Sequence, residues 1–354
     1  MTSIRALRHL LPRIVTAVLA ACCAALGLMA SPAAAAPAAA DCSSPLQCLT
    51  FKSVSNGRQL DVQNGSSGDG ALIVTNSGPG YHQNWRLNVD PSDASVTIVN
   101  NDTGKCLDTG WPAMRQQTCR GQASQKWYLQ PVGSAKDTFL IRHETDNVCL
   151  DLMAGAQYDD AWVGQSVCHG RANQQWTTTP AAWNLAVDHA AKRCQKDTSS
   201  CTWRVKSEAP AAPLPKVCVS SVWYNNTGDT IQQTFAVTET TGWSSQLTNT
   251  LSASVTGGPQ EALQATIQSQ LSFTNIWEGS KAVNNSVTVP VPAKNYGWVT
   301  LSELARKVTG TWTFDARGFA WTAEDTVTVP VKDDPAGGAT LYVANTSPSF
   351  STCA

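Results

Sequence analysis

A motif that recurs three times in the first half of the chain restricts the fold more than any other feature. Residues 51–61 end in Leu60-Asp61 and are followed by Gln83-Asn84-Trp85. Residues 96–108 end in Leu107-Asp108 and are followed by Gln125-Lys126-Trp127. Residues 139–151 end in Leu150-Asp151 and are followed by Gln174-Gln175-Trp176. The aspartates lie 47 and 43 residues apart and the tryptophans 42 and 49. Each copy reads as an apolar strand, a polar turn, a second strand carrying Leu-Asp, a glycine-rich loop and Gln-x-Trp. A unit of this size cannot bury its own apolar face, so three copies must share one core. The motif tryptophans are expected to meet there, each preceded by its glutamine. Cys106 and Cys119 sit inside the second copy and Cys149 and Cys168 at matching places in the third. Each pair is expected to staple its own repeat, and the first repeat lacks one.

Over about residues 45–178 these registered copies resemble the ricin B-type lectin family. The resemblance implies a β-trefoil with a sugar site in each repeat. That site uses the aspartate after Leu, an aromatic two residues before the second cysteine position, and the Asn before Gln-x-Trp. Asp61, Asp108 and Asp151 match the first element. Asn173 alone matches the last, because His82 and Ser124 replace it elsewhere. Thr75, Gln117 and Ser166 fall where the aromatic belongs, while Trp111, Tyr158 and Trp162 lie nearby. The expected carbohydrate-binding residues are therefore Asp151, Asn173, Asp108, Asp61, Trp111 and Trp162, with the third repeat the best match. The same aspartates also suit a purely structural role as turn caps.

The compartment decides how the 12 cysteines are read. Arg5, Arg8 and Arg13 precede an apolar run from 14 to 29, and Ala-x-Ala signals follow at 34–36 and 38–40. This layout is that of a secretory signal peptide spanning residues 1–40. The rival, a lipoprotein box ending at Cys22, is disfavoured because the apolar run continues past that cysteine. Cleavage removes Cys22 and Cys23 and leaves 22 basic against 26 acidic residues, a net charge of −4. No basic face for nucleic acid is indicated. A secreted chain with ten remaining cysteines is expected to be disulfide-bonded. Sequence leaves the connectivity of the other six open; pairing neighbours would join Cys42 to Cys48, Cys194 to Cys201, and Cys218 to Cys353.

The expected organisation is a trefoil over 41–180, a connector over 181–217 with a short helix from Ala186 to Lys196 and a small disulfide loop beyond it, and a β domain over 218–354. In the last of these, polar residues alternate with apolar ones at period two between 246 and 274, around Gly257-Gly258-Pro259. Leu247, Leu251 and Val255 share one face of the first arm; Leu263, Ile267, Leu271 and Phe273 share one face of the second. The other faces carry only Ser, Thr and Gln, and Asn249 is a polar interruption on the apolar face of the first arm. Arms of about 11 residues with one apolar face fit a membrane-spanning hairpin. Half-buried hairpins of soluble sandwiches alternate as well. With the flanking strands that end in Val-Pro-Val (residues 287–291 and 327–331), this part resembles aerolysin-type β-pore-forming modules. That resemblance implies an all-β chain: a β-trefoil, then an elongated domain of long antiparallel strands.

No H-E-x-x-H, G-x-S-x-G or phosphate-loop pattern occurs, so neither an enzyme nor a metal or cofactor is expected. The expected function is that of a secreted pore-forming lectin, with glycans, a target-cell membrane and a homo-oligomer on that membrane as partners. The alternatives are a non-lytic adhesion lectin and an accessory carbohydrate-binding protein in polysaccharide breakdown.

Overall fold

A computed structural model describes residues 42–146, 148–241, 244–245, 261–276, 281–315, 318–333 and 341–351. The expected leader with Cys22, the first hairpin arm with Leu247, Leu251 and Val255, and Cys353 lie outside the described residues. The chain is mostly β. Among the described residues no helix is long and apolar enough to cross a membrane.

Twelve short strands between Lys52 and Thr177 form one antiparallel sheet with the threefold arrangement of a β-trefoil. Its ends are joined by pairing Lys52 with Thr177 and Ser53 with Trp176. Each repeat contributes a hairpin: β1 (Gln59–Val62) with β2 (Ile73–Asn76), β3 (Cys106–Asp108) with β4 (Arg115–Gln117), and β5 (Val148–Leu152) with β6 (Ala161–Val167). Trp85, Trp127 and Trp176 have no exposed surface and lie in one cluster with Leu60, Leu107 and Leu150. Their indole N–H groups donate to the carbonyls of those same leucines at 3.1, 3.2 and 3.1 Å. Gln83, Gln125 and Gln174 donate to Asp61, Asp108 and Asp151, each at 2.8 Å. The motif therefore works as one device: Trp fixes the Leu carbonyl while Gln fixes the neighbouring carboxylate, and each buried polar group finds a partner. Disulfides join Cys42 to Cys48, Cys106 to Cys119, Cys149 to Cys168 and Cys194 to Cys201.

Within the expected connector, the short helix over Ala186–Lys196 is present and begins one turn earlier. Helix α1 spans Ala182–Lys196 and β7 spans Cys201–Glu208. The alanine content of α1 favours helix, and Arg193 and Lys196 in its last turn complement the helix dipole. Ala182, Leu185 and Ala186 are buried in the trefoil core, whereas Val187, Ala191 and Cys194 belong to a second core. Strand β7 pairs with β11 (Leu304–Asp315), which pairs over twelve positions with β12 (Ala320–Val331). Trp203, Trp312, Phe314 and Trp321 fill the space between this sheet and α1.

A ribbon of β8 (Ile231–Thr241) and β9 (Lys281–Val291) runs in register from Ile231 opposite Val291 to Thr241 opposite Lys281. Phe235, Val237, Val289 and Val291 are buried there with Val299 of β10 (Tyr296–Ser302), which pairs with β13 (Leu341–Ser347). The long antiparallel strands expected from the sequence are present.

The second arm of the expected hairpin is corrected. Residues Glu261–Gln268 form helix α2, not a strand. Leu263 and Ile267 are buried in the second core, and Leu271 and Phe273 pack half-buried against it. A spacing of four satisfies period two and is also one helical turn, so Leu263 and Ile267 share a face in either state. Ala262, Leu263, Gln264 and Ala265 are strong helix formers, and the core offers their apolar neighbours a docking site. In this state those side chains face protein, not lipid.

Candidate functional site

The three repeats place the same carboxylate in three different surroundings. In the first, Asp61 Oδ2 accepts from Gln83 and, at 3.1 Å, from Asn76 Nδ2. Asn76 Oδ1 accepts the Asp160 N–H at 2.8 Å, and Asp159 accepts from Ser77 and from Arg58 Nε at 2.7 Å. The Arg58 and Ser77 hydrogen bonds hold the Asp159 carboxyl below the usual carboxylate range. His82, in the Asn position, has Nδ1 2.9 Å from Asp102 Oδ2. One oxygen of the first carboxylate, Oδ2, is thus tied to the 159–160 loop by the chain's own groups, while among the described residues Oδ1 has no hydrogen-bond partner.

The second repeat is open. Asp108 lines a polar cavity of about 370 Å³ together with Thr109, Gln117, Arg120, Ser124 and Gln125. Gln125 Nε2 holds one Asp108 oxygen, and Gln125 Oε1 accepts the Arg120 N–H at 2.9 Å. Among the described residues the other Asp108 oxygen has no hydrogen-bond partner. Gln117 and Ser124, which stand where an aromatic and an amide were expected, supply polar lining here. Arg120 and Thr109 went unnoticed in the sequence. The signal for Arg120 is its place directly after Cys119, matching His169 after Cys168.

In the third repeat Asp151 accepts from Gln174 at 2.8 Å and from Asn173 Nδ2 at 2.9 Å, with His169 Nε2 3.5 Å away. Asp151 lies opposite Gly164 in the β5–β6 pair, and the register one pair beyond Leu152–Val163 brings Met153 beside Trp162. Opposite residues of an antiparallel pair share a face, so Asp151, Met153, Gly164 and Trp162 lie on one outward face. The bare Cα of Gly164 makes room for Met153 and for the Pro112 carbonyl, both 3.2 Å from where a Cβ would stand. Trp111, 83% exposed, therefore comes from the second repeat but sits beside the third, where Trp162 is 43% exposed. Both rings are exposed beside the third repeat.

Residues 48–176 match the family model of the ricin-type beta-trefoil lectin domain, and a second, overlapping match covers 94–209. No curated protein matches the sequence. Among solved structures, the chain is similar to the designed threefold-symmetric protein ThreeFoil, with 29% identity, a TM-score of 0.35, and coverage of 37% of this chain and 97% of that one. A second is the exo-β-1,3-galactanase of Clostridium thermocellum, with 25% identity, a TM-score of 0.34, and coverage of 37% of this chain and 30% of the enzyme. A third is the C-half of an earthworm R-type lectin in complex with GalNAc, with 20% identity, a TM-score of 0.31, and coverage of 37% and 96%.

Proposed function

We propose that this is a secreted, non-enzymatic carbohydrate-binding protein that holds sugars at its second and third repeats. The observation that carries this reading is Asp108. Its carboxylate is oriented by Gln125, keeps one oxygen without a partner, and lines a polar cavity of about 370 Å³ beside Arg120. A fixed carboxylate next to a donor suits vicinal hydroxyls, which give charge-assisted hydrogen bonds. The third repeat adds Asn173 to Asp151 and has Trp111 and Trp162 at hand for the apolar face of a sugar ring. The ricin-type match and the disulfides support a lectin of the extracellular space. The purified chain is expected to bind on a glycan array; a blank array overturns the reading.

A second reading, insertion of a hairpin into membranes by an oligomer of this chain, is favoured by the β8–β9 register. The two strands pair Thr241 with Lys281. Continued past these ends, the same register would set Leu251 opposite Leu271 and Val255 opposite Ile267. Those residues fall on the parity already occupied by Phe235, Val237, Val289 and Val291, a mostly apolar face that Glu239, Thr241 and Lys281 interrupt midway. Helix α2 must unfold for this to happen, and Leu263 and Ile267 must leave the second core. Dye release from liposomes bearing an array-selected glycan is the expected result. Leu251→Lys should abolish leakage at unchanged glycan binding. Ile267→Lys does not serve, because Ile267 is fully buried in the soluble fold. Intact liposomes in the presence of bound protein leave the non-lytic lectin standing.

A further inference from the structure

Gly121 and Gly170 occupy the same place in the second and third repeats, two residues after the Gln-bracing loop begins at Cys119 and Cys168. Both adopt the left-handed backbone conformation, at φ +63° and +70°. Around Gly121 nothing lies within 4 Å of the position a Cβ would take. At Gly170 the ring of Phe319 is there, its Cε1 3.0 Å away. Phe319 comes from the turn between β11 and β12, far along the chain from the trefoil. Its carbonyl accepts from Gln130 Nε2 at 3.1 Å, and the Arg142 guanidinium stands 5.3 Å over its ring and 5.5 Å over that of Tyr128. Arg142 is fully buried and also donates to Gln130. The turn is therefore held by a hydrogen bond from the Gln130 side chain, just past the second-repeat Trp127, and against the third repeat by a cation–π contact with Arg142 and a ring seated on the bare Cα of Gly170.

From Gly170 the path to the candidate sugar site is short. The His169 and Gly170 N–H groups donate to Gln174 Oε1 at 2.7 and 3.1 Å, and Gln174 Nε2 holds Asp151. Gln175 Nε2 donates to the Gly170 carbonyl at 2.7 Å. The second repeat has the same bracing from Arg120 to Gln125 and Asp108, without a ring on its glycine. The two repeats form a natural pair, one seated and one free.

We propose that Phe319 is a positioning residue for the third-repeat sugar site and couples that site, but not the second-repeat site, to the β11–β12 sheet. This rests on the glycan reading above. A loop braced in its bound conformation binds more tightly because less ordering remains to be done, and by linkage a sugar at Asp151 must in turn tighten the Phe319 turn. The β12 strand also pairs with Ser244–Ser245 and meets Ile276, so the same sheet carries the segment that would extend the β8–β9 ribbon.

The test uses the full chain carrying Asp108→Ala, so that only the third repeat reads out, and an array-selected glycan. Phe319→Ala is expected to weaken glycan binding about three- to tenfold and to speed hydrogen exchange in 168–175 by a similar factor, with 119–126 unchanged. Phe319→Leu should recover most of both. Sugar binding should slow exchange at 318–320 in the parent and not in Phe319→Ala. Unchanged exchange in 168–175 on an array-positive protein overturns the coupling alone, and equal acceleration in 119–126 overturns its specificity for the third repeat. A blank array overturns the glycan reading, and the affinity claim falls with it.

Discussion

Asp108→Ala is expected to lower glycan affinity at the second repeat by at least about a hundredfold. A carboxylate that accepts from two sugar hydroxyls makes two charge-assisted hydrogen bonds, each worth about 1.5–3 kcal/mol, and alanine removes both. The carboxylate is already oriented: Gln125 holds one oxygen at 2.8 Å and is itself held by the Arg120 backbone. Little of the binding energy is therefore spent on ordering the site. Asp108→Asn keeps the shape and one acceptor and should lose about tenfold, the value of one such bond. Asp61→Ala is the control. Its carboxylate is tied to Asn76 and through it to the 159–160 loop, so its removal should leave titrations against immobilised glycan within about twofold of the parent. A larger loss from Asp61→Ala than from Asp108→Ala would show that the wrong repeat has been identified as open.

The largest stability effect is expected at Trp127. Its side chain has no exposed surface, and its N–H donates to the Leu107 carbonyl at 3.2 Å. Truncating a buried Trp to Ala costs about 3–5 kcal/mol through lost transfer energy and the cavity left behind. For a folding unit of this size that corresponds to a fall in Tm of roughly 6–20 °C. The cost should be concentrated in the trefoil, where Trp127 shares one buried cluster with Trp85 and Trp176. Trp111→Ala provides the comparison: that ring is 83% exposed, and surface changes usually stay within about 0.5 kcal/mol. Thermal unfolding followed by near-ultraviolet circular dichroism distinguishes the two. A Trp127→Ala protein that melts with Trp111→Ala would mean that the repeated tryptophans do not carry the core.

The parts of the fold that were legible in the sequence are those where one residue type has one role. Each Gln-x-Trp has a glutamine that can reach only its own aspartate and an indole that can reach only its own leucine carbonyl, so three copies announced three equal supports of one core. The disulfides within the repeats followed from the same registration. Residues 261–268 were misread because Leu263 and Ile267 answer equally to a strand and to a helix, and only the core waiting for them decides. In residues 182–208 the alanine-rich run made the short helix legible, but no repeat or motif shows that Val187, Ala191 and Trp203 enter the second core. The candidate site was half legible. The aspartates were visible, but whether each is tied up, open or seated depends on residues remote in sequence: Asp159 and Asp160 for the first repeat, Phe319 for the third. Arg120 was hidden for a simpler reason, since its only mark is a position after Cys119 that matches His169 after Cys168, two residues of different type.

Helix α1 has a consequence for how the molecule comes apart. Its first turns are buried among trefoil residues and its later turns among those of the second sheet, so no peptide bond between the two halves can be cut without stripping apolar cover from one of them. A trefoil ending before Ala182 loses the seat of Leu185 and Ala186; a second half beginning after Cys194 loses the helix against which Trp203 and Trp321 are buried. Destabilising either half is therefore expected to loosen the cover that the helix gives the other. Protease sensitivity and the release of α2 from its core then depend on the condition of the trefoil as well as on the strands α2 leaves.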